Sequence, residues 1–297
     1  MTEIDVIELL KQHIDEYDAP VDARELIRFS AGDEEKLKEC ITRRISGEPL
    51  QYIIGEWDFY NCNFRVGEGV LIPRPETELL VDTALDFLAE NFSQDGDDAT
   101  SMIYKVVYGT RVRGEYVLPN EGYGVARVLD LCSGSGCIAI SIAKNFANSK
   151  VFAIEKSSQA FEYLKQNVAL NRVKNVVPFN DDIVTGCQNL IGASKGQFDL
   201  IVSNPPYVKS AECDELQREV LKEPRMALDG GEDGLDFYRV IANRWLPLLK
   251  SGGMLIMECG EDQAVAIEGI LSATSCGQTF ILDDFAGISR VVGIKMY

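Results

Sequence analysis

Histidine is almost missing from this chain: its 297 residues include one, His13, near the amino terminus. Ser-His and Cys-His nucleophilic pairs, which need an imidazole beside the nucleophile, are therefore not expected. Basic residues are also scarce, 29 Lys and Arg against 47 Asp and Glu, for a net charge of −18. Nucleic-acid affinity rests largely on cations meeting phosphates, so bare DNA or RNA is a poor partner and a protein substrate suits the chain better. A local basic patch could survive around Arg43-Arg44, for example. No apolar run approaches the roughly 20 residues of a membrane span. The amino terminus, Met1-Thr2-Glu3-Ile4-Asp5, lacks the basic start of a secretory signal. The eight cysteines form no C-x-x-C pair and several sit inside apolar runs. Reduced core thiols are expected rather than disulfides or a metal site. The expectation is a cytoplasmic monomer with no membrane, metal or direct nucleic-acid partner.

What is present is concentrated in a few motifs. The apolar run Phe198-Asp199-Leu200-Ile201-Val202-Ser203 reads as a buried parallel strand and leads into Asn204-Pro205-Pro206-Tyr207. Two prolines cannot continue a ladder, having no N–H to donate, and each pushes the preceding residue out of the helical region. The result is a stiff turn that gathers an Asn amide, bare carbonyls and an aromatic face around one point. Such a cluster suits a flat, neutral NH2 group: the oxygens take its hydrogens and the ring packs on its plane. Taken alone, the motif also fits an ordinary proline loop.

Upstream, Val128-Leu129-Asp130-Leu131 runs into Cys132-Ser133-Gly134-Ser135-Gly136 and an apolar helix start. Gly134 and Gly136 allow a sharp turn and close approach of helix N–H groups to a ligand. Cys132 in this loop is read as a small filler. Ala139 stands where a dinucleotide fingerprint has its third small residue, so a nicotinamide cofactor stays open on spacing alone. The next strand, Lys150 to Ile154, ends at Glu155, 19 residues after Gly136, where an acid can accept hydrogen bonds from both ribose hydroxyls of an adenosine. A third strand, Asn175 to Asn180, ends in Asp181-Asp182, which can reach an adenine amino group. Each acid alone is more often a solvated strand end, and it is their order and spacing together that point to an adenosine.

Taken together, the glycine loop, acidic strand end and Asn-Pro-Pro-Tyr resemble an S-adenosylmethionine-dependent methyltransferase of the amino-methylating kind. Gly47-Glu48-Pro49-Leu50-Gln51-Tyr52, then Pro73-Arg74-Pro75-Glu76-Thr77-Glu78, then Gly230-Gly231-Glu232-Asp233-Gly234 and Gly252-Gly253 to Gly260 are similar to the PrmC/HemK family. The resemblance covers nearly the whole chain. It implies methylation of the glutamine in the Gly-Gly-Gln motif of peptide chain release factors. It implies Asn204, Pro205, Pro206 and Tyr207 at the reaction centre, and cofactor contacts from Cys132, Ser133, Gly134, Ser135, Gly136, Glu155, Asp181, Asp182 and Asn204. Arg74, its direction fixed between two prolines, is assigned to substrate binding with the Asn204 turn. The rival reading is a methyltransferase acting on the exocyclic amino group of adenine, which would need a basic groove and a flipped base. A non-catalytic cofactor-binding or assembly protein is a third.

Alternating β and α segments from about residue 127 predict an α/β domain with a mostly parallel sheet covered on both faces, and the resemblance implies that it is a Rossmann-like class I methyltransferase fold. Residues 1–48 show helical spacing, with Asp22 and Asp33 as candidate caps, and read as a small helical domain, for which the resemblance implies a role in substrate recognition. Residues 49–75 read as a β-hairpin linker turning near Tyr60-Asn61-Cys62-Asn63, and 76–297 as the methyltransferase domain. Within it, about 92–126 departs from the family as an inserted segment with a hairpin over 102–118. Leu235–Leu249 reads as a helix, Gly253–Cys259 as a strand, Asp262–Leu271 as a helix, and Thr279–Leu282 and Ser289–Lys295 as final strands.

Overall fold

A computed structural model describes residues 1–92, 124–188 and 197–297. The hairpin expected over 102–118 lies outside them. Among the described residues, three helices open the chain: α1 (Glu3–Leu10), α2 (Ala19–Ser30) and α3 (Glu34–Ile45). They bury Val6, Leu10, Leu26, Leu37 and Ile41 in a core of their own. Asp33 caps α3, accepting from the N–H groups of Glu35 and Lys36. Asp22 is not a cap: it lies inside α2, buried against the Arg44 guanidinium at 2.5 Å. Arg44 also meets Glu219 at 2.7 Å, and Arg43 is forked by Glu48. The suggested basic patch is therefore neutralised where it stands.

The segment expected to be all hairpin begins instead with a short helix, α4 (Leu50–Ile54), ended by Gly55. Leu50 and Ile53 pack into the amino-terminal core, which a strand at this place could not do with both residues on one face. The hairpin proper pairs β1 (Glu56–Phe59) with β2 (Cys62–Arg65). Its turn is the two residues Tyr60-Asn61, both at positive φ, the geometry that matches strand twist.

A seven-stranded sheet carries the rest. Its strands are β3 (Ala126–Leu131), β4 (Ser149–Glu155), β5 (Val176–Asn180), β6 (Phe198–Ser203), β7 (Leu249–Glu258), β8 (Gly277–Asp283) and β9 (Ser289–Met296). The order is β5-β4-β3-β6-β7-β9-β8; β9 runs antiparallel to both β7 and β8, and the other described pairs are parallel. One face is covered by α5 (Glu78–Phe92), α6 (Cys137–Asn145) and α7 (Ser158–Leu170). The other is covered by Tyr238, Trp245, Ile267 and Leu271 from the carboxyl-terminal helices. The helix expected over 235–249 is α-helical for Asp236–Val240, widens to a π turn at Ile241–Trp245 and tightens at Leu246–Leu248, so β7 already begins at Leu249. The expected strand at 253–259 is thus the inner part of a longer one, and the expected helix at 262–271 runs from Ala264 to Thr274. All eight cysteines are free thiols, most of them buried.

Candidate functional site

In a doubly wound sheet, the chain leaves β3 toward β4 on one side and arrives at β6 on the other, so a crevice opens at the carboxyl end of β3. The loop after β3 turns there. Cys132, Gly134 and Gly136 all take positive φ. At Gly136 a Cβ would sit 2.3 Å from Leu164 Cδ1, so only glycine lets α6 start this close to α7. Ser133 and Ser135 are buried under the loop, and the Asn167 amide donates to the Ser135 carbonyl at 2.9 Å.

Glu155, the last residue of β4, holds the loop from across the crevice. One carboxylate oxygen accepts from Gly134 N at 2.8 Å and the other from Ser157 N at 2.6 Å. Burial raises its pKa, against those N–H groups. A carboxylate offers about four lone-pair sites, so each oxygen keeps one for a diol hydroxyl. Asp182 also faces the cavity. Burial pushes its carboxyl up, but the Val184 N–H, Lys156 and the Thr185 hydroxyl outweigh it and leave the pKa lowered. Asp181 departs from expectation: it is exposed and turned back to accept from the N–H groups of Cys187 and Asp182, closing its own turn.

These residues line a cavity of about 250 Å³. Cys132, Gly134, Glu155, Asp182, Asn204 and Pro206 are the sequence-predicted residues on its wall. Its far wall was not foreseen: Gly69 and Leu71 from the chain before α5, and Pro224, Met226 and Ala227 from the loop after β6. Those two stretches are tied together. Glu223, buried with its pKa raised by burial, accepts from Ile72 N at 2.9 Å and pairs with the Arg74 guanidinium. Arg74, half-buried, is thus engaged as a strut within the wall.

The Asn204-Pro205-Pro206-Tyr207 turn closes the cavity floor. Both prolines are buried. Gly230 packs on this turn so closely that a Cβ would stand 2.7 Å from Tyr207 Cα. Val208 N donates to Leu228 O, Gly230 N to Val208 O, and the Gln263 amide to Tyr207 O, each within 2.9 Å. Tyr207 packs among the residues of the second sheet face, where burial raises its pKa to about 12. The Asn204 amide nitrogen donates to Thr77 Oγ1 at 3.2 Å, and its Oδ1 accepts no hydrogen bond among the described residues. The arrangement sets Asn204, its amide nitrogen tied to Thr77, on the wall of a cavity that the Glu155 carboxylate also lines.

Thr77 and Glu258 escaped the reading of the sequence. Glu258 ends β7 inside an otherwise apolar run, Met254-Leu255-Ile256-Met257, and that lone acid was the available signal. It is buried, and its carboxyl is pushed up to about 7, by burial first. Thr77 carried no such signal, since its partners are 127 and more residues away.

Residues 9–55 match the family model described as the PrmC N-terminal domain, and residues 109–251 that of the methyltransferase small domain. The chain is 40% identical over 257 residues to the release factor glutamine methyltransferase of Thermodesulfovibrio yellowstonii, covering 86% of this chain and 79% of that protein. The protein of the same name from Geobacter sulfurreducens is 36% identical over 263 residues, covering 87% and 78%. Among solved structures, the hMettl16 catalytic domain in complex with a MAT2A 3'UTR hairpin aligns with a TM-score of 0.55 at 12% identity, over 88% of this chain and 80% of that one. At that identity the likeness is one of fold.

Proposed function

The chain belongs to the release factor glutamine methyltransferase family, and from that footing we propose that it methylates the side-chain amide nitrogen of the glutamine in the Gly-Gly-Gln motif of peptide chain release factors. S-adenosylmethionine, when bound, supplies an electrophilic methyl group; the chain supplies position and charge. Glu155 holds the ribose hydroxyls with its two remaining lone-pair sites, Asp182 faces the adenine end, and Gly134 gives the backbone room to approach.

A glutamine amide is a weak nucleophile because its nitrogen lone pair is shared with the carbonyl. Asn204 Oδ1 and the Pro205 carbonyl accept its two hydrogens and turn the lone pair toward the methyl donor. Alignment of this kind is worth about 7–11 kcal/mol in favourable cases. The same oxygens stabilise positive charge on nitrogen as the new C–N bond forms. The methylated nitrogen then loses its proton to water, so no strong base is required. Tyr207 packs beside the amide, and Arg74, a third exposed, meets the protein substrate at the rim. Residues 1–48 form the unit that grips the release factor, 49–75 the linker, and 76–297 the catalytic domain.

The observation that carries this reading is the Asn204 side chain, which lines the cavity with its amide nitrogen donating to Thr77 Oγ1 and no described residue donating to its oxygen. Incubation with labelled methyl donor and either release factor or nucleic acid tests it, with mass spectrometry to locate the label. Label is expected on a release-factor glutamine. Replacing Asn204 by Ala should lower turnover by about 10²–10³ with cofactor affinity kept. Label on nucleic acid, or equal losses of turnover and cofactor affinity, would refute it.

A further inference from the structure

Of the motif Pro73-Arg74-Pro75-Glu76-Thr77-Glu78, the reaction as described gives Arg74 a role toward the substrate and leaves Thr77 only as a partner of Asn204. The Pro75–Thr77 turn brings Thr77 to the crevice just before α5, with the side chain 1% exposed. The parallel register of β6 and β7 sets Ser203 beside Met257. One residue further along each strand, Asn204 and Glu258 become neighbours. Three segments far apart in sequence thus meet at one point: a hydroxyl, an amide and a carboxyl.

Their chemistry is directional. The Asn204 amide nitrogen donates to Thr77 Oγ1 at 3.2 Å. Glu258 is 3% exposed and its Oε2 has no hydrogen-bond partner, an acceptor placed where the surrounding groups are donors. Burial opposes its ionised form most strongly, and Glu76 adds to that; the Thr77 hydroxyl, Arg290 and the Asn204 amide favour it. A primary amide can present either its oxygen or its NH2 to a cavity, and the two orientations have nearly the same shape. With Thr77 Oγ1 behind it accepting from the NH2, the amide presents its oxygen forward.

Resting on the functional reading above, we infer that Thr77 and Glu258 are positioning residues that lock the Asn204 side-chain amide with Oδ1 toward the substrate nitrogen. Thr77 takes one amide hydrogen, and its own hydroxyl hydrogen is directed to Glu258. Without that backing the Asn204 amide turns over, and an NH2 then faces an NH2, so the substrate is repelled from the reactive geometry. Neither residue touches the methyl group or the leaving sulfur. Both act through Asn204.

Thr77→Val keeps the volume and removes both hydrogen-bonding roles; Thr77→Ser restores them. With the release factor as substrate, Thr77→Val should lower kcat by about ten- to a hundredfold. Cofactor Kd and the KM for release factor should stay within about threefold of wild type. Thr77→Ser should recover most of the lost kcat. A Thr77→Val enzyme with full kcat overturns the proposal. So does a common loss in both variants, or a loss of cofactor affinity that matches the loss of turnover, since each marks a merely structural role. A wild-type chain that methylates no release factor removes the functional reading itself, and this inference with it. The crystal structure of Thr77→Val gives a readout independent of turnover: the Asn204 side chain should be disordered or moved to a new rotamer, and a side chain ordered in its wild-type position overturns the inference.

Discussion

Replacing Glu258 by Gln should change how stability depends on pH, by an amount the structure sets. Burial at the end of β7 pushes this carboxyl from its ordinary 4.5 up to about 7. The unfolded chain therefore ionises Glu258 above about 4.5, and the folded chain only above about 7. Between those values the folded state binds the extra proton and unfolding releases it, so stability falls as pH rises through the window. The gap corresponds to about 3 kcal/mol lost once pH exceeds about 7, at 1.36 kcal/mol per pKa unit. Gln at 258 keeps the shape and never ionises, so its contribution is flat. Asp130, raised by burial to about 8, and Glu155, also raised by burial, move stability in the same direction. The wild-type profile is thus composite, and the difference between the two proteins isolates Glu258. Urea or thermal unfolding from about pH 5 to about pH 8 should show the variant gaining about 2–3 kcal/mol relative to wild type. Parallel profiles would refute the reasoning, because they would mean that the folded carboxyl is already ionised at the acid end.

Arg44→Met should cost about 3–5 kcal/mol in thermal unfolding, because it leaves Asp22 buried without its partner. Replacing Asp22 and Arg44 together by apolar residues should cost much less. Gly136→Ala places a Cβ 2.3 Å from Leu164 Cδ1 at a φ of +83°, so both the thermal midpoint and cofactor affinity by calorimetry should fall. Glu155→Ala strands the Gly134 and Ser157 N–H groups and should weaken cofactor binding by about 1–3 kcal/mol in the same assay.

The strands, their parallel order and the crevice were legible from residues adjacent in sequence. An apolar run followed by Cys132 to Gly136, an acid closing the next strand at Glu155, and a diproline corner after Phe198–Ser203 are local signals, because backbone limits at Gly and Pro act within a few residues. Asp22 misled for the converse reason. An acid at a helix start resembles a cap until Arg44, 22 residues on, is known to lie against it. Leu50 to Ile54 reads as strand by composition, but packing on the amino-terminal helices favours one turn of helix.

Sequence alone determined the chemistry available at the crevice: the amide, the carboxylates, and the stiff and flexible turns that carry them. Only the tertiary structure decided which way those groups face. Asp181 turns back on its own loop, Arg74 binds Glu223, and Thr77, Asn204 and Glu258 converge from three distant segments. The orientation of a side chain is fixed by hydrogen-bond partners that the fold supplies from elsewhere in the chain, and no local pattern of residues encodes them.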